Sequence, residues 1–164
     1  MAQAYQLIQA ITVGAGGAAS IDFTNIPSNY TDLCIKFSGR NAGNYYTFSM
    51  KVNGSSVTSA IRCYGVGSST TVSSDTYNGF YTNYSTLTAS TFGSTEIYIP
   101  NYTSANIKSF SVEAVSETNA TACYMNLASA VYSTSSAISS FSLIPESGNF
   151  AQYTTAYIYG ISNS

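Results

Sequence analysis

The sequence contains no histidine and no tryptophan, and only five lysine or arginine residues stand against seven aspartate or glutamate residues. Charged residues make up 7% of the 164 residues, whereas about 25% is typical of soluble domains. Five scattered cations would release too few counterions for a protein that binds nucleic acid by neutralising phosphates. Coiled coils and long exposed helices are excluded as well, because both depend on faces rich in Glu and Lys.

The same scarcity of titratable groups argues against catalysis and metal binding. Without histidine, a serine nucleophile has no imidazole base to accept its proton. Glu113 and Glu117 are the closest carboxylate pair, and on a strand followed by a turn they are ordinary solvent-facing charges rather than a glycosidase pair. A zinc site lacks ligands, because there is no His and no close pair of cysteines. We therefore predict no catalytic residue, no cofactor and no metal site.

Cysteines and targeting signals are also sparse. Cys34, Cys63 and Cys123 are odd in number and far apart, so we interpret them as small buried hydrophobic residues rather than a disulfide framework. An inter-subunit bridge through the odd cysteine stays open. The N-terminal residues have no basic region, and no stretch approaches the roughly 18 apolar residues of a membrane helix. We expect a chain without a signal peptide or membrane partner, which stays soluble where it is made.

What the sequence does contain is side-chain alternation with a period of two. Leu33, Ile35 and Phe37 alternate with smaller or polar residues, and the runs Tyr46–Val52 and Phe110–Ala114 repeat this pattern, which is typical of half-buried strands. The region from 113 to 125 is predicted to form two strands with a turn at 116–119. About ten short strands at a spacing of roughly 8–12 residues predict a single antiparallel β-sandwich over residues 1–164, of jelly-roll type.

Fifteen tyrosines are the most unusual feature of the composition. Tyrosine is rigid and amphipathic, and it therefore suits subunit interfaces and sugar binding as well as strands. The polar segment from Gly65 to Gly93 is predicted to form one or two weak strands carrying a long exposed loop. Its aromatic residues leave three alternatives open, namely a subunit interface, burial in the core and a glycan-binding patch: Tyr77, Phe80, Tyr81 and Tyr84. Four tyrosines on alternating runs are predicted to be core residues: Tyr46, Tyr98, Tyr157 and Tyr159.

Several segments together resemble a group of small structural proteins from tailed bacteriophages. The stretch from Phe23 to Leu33 fits the pattern F-x-x-I-P-x-x-Y-x-x-L, and Val52-Asn53-Gly54 is similar to the group's hairpin. The segment Ile97–Tyr102 reads I-Y-I-P-N-Y. Three C-terminal segments, 137–143, 148–151 and 157–161, are similar to the group's closing hairpin with its terminal L-Y-G-I. The segments occur in the same order along nearly the whole chain.

The resemblance implies a non-enzymatic virion protein with a β-sandwich fold. A single domain of this length leaves no room for a fibre shaft, so it looks like a capsid decoration (cement) protein on the capsid surface, made in the host cytoplasm. Such proteins commonly form trimers and bind the major capsid protein. The strand Ala2–Thr12, with Tyr5, Leu7 and Ile8, is predicted to contact the capsid or exchange between subunits, because unpaired strand edges invite pairing. The alternative is a tail-fibre or spike module whose Tyr77–Tyr84 region binds a host glycan.

Overall fold

The structure is a computed structural model that describes residues 5–57, 59–67, 69–75, 79–119 and 122–162. These residues form thirteen β-strands, and no helix occurs among them. Accordingly, this part of the chain holds no helix of the length and hydropathy needed to cross a membrane. The strands are β1 (Tyr5–Thr12), β2 (Ile21–Phe23), β3 (Asp32–Gly39), β4 (Thr47–Val52), β5 (Ser55–Ser56), β6 (Ser59–Val66), β7 (Ser69–Asp75), β8 (Phe80–Tyr81), β9 (Gly93–Ile99), β10 (Lys108–Thr118), β11 (Ala122–Tyr132), β12 (Phe141–Pro145) and β13 (Thr155–Ile161).

The strands form two antiparallel sheets that face each other across one core. The larger sheet has the order β1-β13-β3-β9-β10-β11-β6-β7, and the smaller has the order β2-β12-β4-β5 with β8 beside β4. Phe37 of the larger sheet meets Phe48 of the smaller one, with ring centroids 4.9 Å apart. The predicted all-β antiparallel sandwich is confirmed, and its jelly-roll connectivity stays a prediction.

Side-chain alternation separates the core from the outer face of the larger sheet. Leu33, Ile35 and Phe37 on β3 are buried, whereas Lys36 is exposed on the outer face. There it forms an ion pair with Glu96, its partner in the ladder with β9. Strand β10 buries its three predicted apolar positions in the same way.

The polar segment between Gly65 and Gly93 differs from its prediction. It contains the end of β6 together with β7 and β8, so the predicted strands are present and the difference concerns the loop. Residues 80–83 are buried, because β8 pairs with β4 and is covered by the larger sheet. The prediction of a long exposed loop is therefore wrong for these four residues, and the loop proper is the segment 84–92.

The predicted core positions of four tyrosines are wrong. Tyr98, Tyr157 and Tyr159 are only half-buried, since the residues on either side of each of them point into the core and the pleat turns the tyrosine outward. Tyr46 is 40% exposed because it precedes β4, so the strand pleat does not fix its direction.

The three cysteines have different environments. All are free thiols; Cys34 is buried, Cys63 is half-buried and Cys123 is exposed. The expectation of three buried residues is thus wrong for Cys123, which lies near the start of β11. Burial raises the pKa of the Cys34 thiol, although the nearby charge of Lys36 opposes this shift.

The two ends of β3 define the two ends of the sandwich. At one end Leu33 pairs with Ile99, the last residue of β9, which leads into the turn holding Tyr102. At the other end Gly39 pairs with Gly93 and the chain continues into Arg40. We call these the Tyr102 end and the Arg40 end.

Candidate functional site: a tyrosine cluster at the Arg40 end

Most of the segments that carry the resemblance to phage structural proteins lie at the Tyr102 end. The segment 148–151 lies at the Arg40 end, where the N–H of Ala151 donates to the carbonyl of Arg40 at 2.8 Å. Tyr102 is fully buried, and its hydroxyl donates a hydrogen bond to the carbonyl of Pro27. The turn that holds Tyr102 is fixed by Asp32, whose Oδ1 accepts from the N–H of Asn101 at 2.8 Å. The Tyr102 carbonyl accepts from the N–H of Ile138 at 3.0 Å. These residues therefore join separate loops of the fold to one another.

Asn53, in the hairpin between β4 and β5, also joins separate segments of the fold through its side chain. Its φ of 48° lies in the left-handed region that asparagine tolerates better than most residues. Its Oδ1 accepts from the N–H groups of Ser139 and Ser140 at 2.9 and 3.1 Å, and its Nδ2 donates to the carbonyl of Ala137 at 2.8 Å. One side chain thus ties the hairpin to the segment before β12.

Gly160 of the closing strand β13 lies where the ring of Tyr30 leaves no room for a larger residue. A Cβ on Gly160 would lie 2.3 Å from ring atoms of Tyr30, a separation that real side chains do not show. Tyr30 and Gly160 both belong to the segments quoted for the resemblance, so those segments determine packing. The close packing of Tyr30 against Gly160 joins two of these segments to each other.

Lys108 holds two loops together at the Tyr102 end. It is 2% exposed, and its Nζ donates to the carbonyls of Ser104 and Ser136 at 2.7 and 2.6 Å. Burial lowers the pKa of its ammonium group, although the nearby Tyr132 opposes this shift. A polar cleft of about 420 Å³ opens beside it, lined largely by the loop from Pro100 to Lys108.

Arg40 performs a similar task at the opposite end, on a longer loop. Its buried guanidinium donates to four main-chain carbonyls of the loop 84–92, those of Thr88, Thr91, Leu87 and Ser85, at 2.8, 3.0, 3.1 and 3.4 Å. The loop is also tied to Glu117, whose carboxylate accepts from the backbone N–H of Thr88 at 3.1 Å. A loop rich in Ser and Thr is thereby folded against the sandwich, with Leu87 buried within it.

Six tyrosines from four parts of the chain meet beside this loop, and we call them the tyrosine cluster: Tyr45, Tyr46, Tyr64, Tyr81, Tyr84 and Tyr124. Tyr46 stacks on Tyr45, with centroids 5.2 Å apart and planes 11° apart, and on Tyr124, with centroids 6.4 Å apart and planes 19° apart. Tyr81 lies at the centre and contacts Tyr64 at 6.1 Å as well as Tyr124 at 5.3 Å. The rings thus form one continuous aromatic surface.

The cluster has a buried base and an exposed top. Tyr81 is 6% exposed, whereas Tyr45 and Tyr46 are 42% and 40% exposed. Burial raises the pKa of Tyr81 to about 12, against the opposing effect of the Arg62 charge. The guanidinium of Arg62 lies over the ring of Tyr64, 5.3 Å from its centroid, a distance at which a cation is attracted to the ring face.

The backbone under the exposed pair is fixed by buried groups. Asn41 is fully buried, and its Nδ2 donates to the carbonyls of Tyr45 and Thr47, both at 2.8 Å. The carbonyl of Tyr46 accepts from the N–H of Thr82 at 2.9 Å. Three consecutive carbonyls are therefore held in place, so the exposed rings stand on a rigid support.

The predicted interface residues fall into two groups. Tyr5 and Leu7 on β1 are 52% and 50% exposed on the outer face, while Ile8 is half-buried and packs against the core. Phe80 and Tyr81 are buried within the chain, so of the alternatives left open for them the core position is the one that the structure adopts.

Tyr84 and Tyr77 are the two remaining aromatic residues that were predicted as interface candidates. Tyr84 is half-buried in the tyrosine cluster, with its ring edge towards Tyr46. Tyr77 lies outside the described residues, as do residues 2–4 of the predicted N-terminal strand.

Sequence reasoning missed most of the tyrosine cluster. Tyr45, Tyr64 and Tyr124 are separated by many residues and share no motif, and Tyr46 was predicted to be a core residue. The high tyrosine count was the one available signal, and it does not locate a site. Arg40 was missed because its partners in the loop are main-chain carbonyls. Every residue carries one, so no sequence pattern indicates this contact.

Comparison with known proteins adds no family to this description. The chain matches no protein-family model, no curated protein and no solved structure.

Proposed function

We propose that this protein is a non-enzymatic structural component of a tailed-bacteriophage virion, a capsid decoration protein that binds the shell and stabilises it. The proposal combines the segment resemblance with one structural observation, the open edge strand β1. Its partner is the major capsid protein, and the decorating unit is a trimer of this chain.

Strand β1 has the properties of an edge that accepts another strand. Among the described residues it pairs with β13 alone, so its other side presents backbone N–H and C=O groups without a ladder partner. Its sequence, YQLIQAIT, contains neither a charge nor a proline, two of the devices that commonly protect sheet edges. Its ladder with β13 shifts register between Leu7 and Gln9. Half-exposed Tyr5 and Leu7 add apolar area beside this edge, which would strengthen strand addition by a partner.

The sparse charge of the chain supports the same proposal. Contacts made through Tyr, Ser, Thr and backbone groups depend little on ionic strength, because salt screens charge–charge interactions and leaves uncharged contacts largely unaffected. A particle that meets varied ionic conditions benefits from such contacts.

The first test is the copy number of this chain in purified virions, measured by quantitative mass spectrometry against the major capsid protein. We expect hundreds of copies in a simple ratio to the capsid protein. A few copies to a few dozen would instead place the chain on the tail or at a vertex. Its absence from purified particles would contradict a virion role altogether.

The role of β1 is tested by adding a charge to the edge. Leu7→Lys introduces a cation beside the open backbone of β1, and we expect binding to undecorated particles to weaken at least about tenfold, equivalent to about 1.4 kcal/mol. Ser55→Lys adds the same charge at an exposed position of β5 in the smaller sheet, and its binding should equal that of the wild type. Unchanged binding by Leu7→Lys would exclude β1 as the contact.

A second candidate function is a tail-fibre or spike module that binds a host surface glycan. The exposed Tyr45–Tyr46 pair is the observation that favours it, because rigid exposed aromatic rings suit sugar stacking. The copy number separates the two placements, since a tail module would be present in far fewer copies than a lattice-bound protein.

A further inference from the structure

We infer that the exposed pair Tyr45–Tyr46 is a binding platform for a neutral saccharide. The inference deepens the second candidate function and holds equally for a capsid protein, because it concerns one end of the domain and not its place on the virion.

The first argument is the open ring face of Tyr45. Among the described residues its one ring neighbour is Tyr46, and Tyr45 is 42% exposed. One face of the Tyr45 ring is therefore stacked on Tyr46, and the exposed part of the side chain provides aromatic surface for a flat ligand. The apolar C–H face of a pyranose ring matches such a surface in size and polarity.

The second argument is preorganisation. Besides the bonds from Asn41 and Thr82, the carbonyl of Thr47 accepts from the N–H of Glu146 at 3.1 Å, and the N–H of Ala42 donates to the carbonyl of Asn149 at 2.7 Å. Gly43 packs so closely that a Cβ there would lie 2.4 Å from the carbonyl oxygen of Ser147. A platform that is already ordered loses little conformational entropy when a ligand binds.

The third argument is the polarity of the surroundings, which determines the class of ligand. The N–H of Ser85 donates to the carbonyl of Gly43 at 3.1 Å, which brings the exposed residues Asn44, Ser85 and Thr86 to the side of the platform. Segments 41–47 and 84–87 contain no charged side chain. The two arginines beside the cluster are engaged within the chain, Arg40 by the loop carbonyls and Arg62 by the ring of Tyr64 and the carbonyl of Gly79. Short amide and hydroxyl groups around an aromatic face can hydrogen-bond sugar hydroxyls, whereas an anionic ligand would find no cation in these two segments.

The experiment is affinity electrophoresis of the purified full-length chain in gels containing dextran, mannan or a soluble β-glucan, with hyaluronate as the anionic comparison. We expect at least one neutral polysaccharide to retard the wild type and hyaluronate to leave it unretarded. Tyr45→Ala should weaken the apparent affinity about tenfold or more, whereas Tyr45→Phe should keep most of it because the ring remains.

Tyr5→Ala is the matched control, since it removes an exposed tyrosine at the opposite end and should bind like the wild type. Equal urea midpoints for the three variants and the wild type establish that each is folded. The inference is overturned if no neutral polysaccharide retards the wild type, if hyaluronate alone does so, or if Tyr45→Ala and Tyr5→Ala bind equally. Particle copy number is a separate measurement, so a failure here leaves the proposed virion role unaffected, and the converse also holds.

Discussion

The two ends of the sandwich are built from the same kind of contact but for different purposes. At the Tyr102 end, buried Tyr102 and Lys108 tie neighbouring turns together. At the Arg40 end, one guanidinium folds a longer polar loop, and aromatic rings remain exposed beside it. The two buried cations differ in what they hold in place, since Lys108 joins two turns, whereas Arg40 holds a loop beside exposed aromatic rings.

The largest expected effects on stability come from replacing the two buried cations, Arg40 and Lys108. Arg40→Met leaves four loop carbonyls without their donor, and we expect a loss of about 3 kcal/mol in the free energy of unfolding. Lys108→Met leaves two carbonyls and should cost about 2 kcal/mol. Urea denaturation measures both losses.

Limited proteolysis shows which loop each of the two substitutions destabilises. The Arg40→Met chain should be cleaved first within residues 84–92, whereas Lys108→Met should leave that loop as resistant as in the wild type. Equal cleavage of the loop in both variants would mean that the two ends do not behave as independent structural regions.

A smaller effect is expected from one methyl group at Gly160. Gly160→Ala places a Cβ against the ring of Tyr30, and such overpacking costs about 2 kcal/mol. In a Tyr30→Ala background the same change should cost less than about 0.5 kcal/mol, because the clashing ring is gone. Thermal denaturation of the four chains gives this coupling.

Gly14→Ala is the matched control at the Arg40 end. A Cβ there meets nothing within 4 Å, so stability should change by less than about 0.5 kcal/mol. Equal costs at Gly160 and Gly14 would contradict the packing role assigned to Gly160.

The smallest expected effect is a difference in tyrosine ionisation between the ends. The hydrogen bond to Asp32 and burial raise the pKa of Tyr98 to about 12, while burial is the main cause that raises the pKa of Tyr81 to about 12. Since the folded state favours the neutral phenols, the stability that they contribute is complete below pH 10, their ordinary pKa. It is lost as the pH rises towards 12.

Ultraviolet absorbance of the phenolate follows this titration, with Tyr98→Phe and Tyr81→Phe to assign the two late steps. Asp32→Asn should lower the pKa of Tyr98 and leave that of Tyr81 unchanged. A shift of both steps in Asp32→Asn would show that the two ends are electrostatically coupled.

Much of the fold was predictable because it depends on local patterns. The alternation of Leu33, Ile35 and Phe37 predicts a half-buried strand, and Asn53-Gly54 predicts a hairpin, since each signal lies within a few consecutive residues. The strand β2 was not predicted because three residues are too few to display a period.

The candidate site could not be predicted, because distant segments assemble it. Tyr46 and Tyr124 stack only after β4 and β11 have taken their places in different sheets. The outward direction of Tyr46 depends on the bond between its carbonyl and the N–H of Thr82, and this contact has no counterpart in a sequence pattern.

Arg40 recognises the loop 84–92 largely through its main-chain carbonyls, which every residue type carries. Most of the loop's side chains can therefore diverge without loss of the loop's shape. Sequence drift at this end could change what the domain binds while leaving its stability nearly constant. The same property makes the loop a rational place to insert a randomised library, with Arg40 kept unchanged as the anchor of each variant.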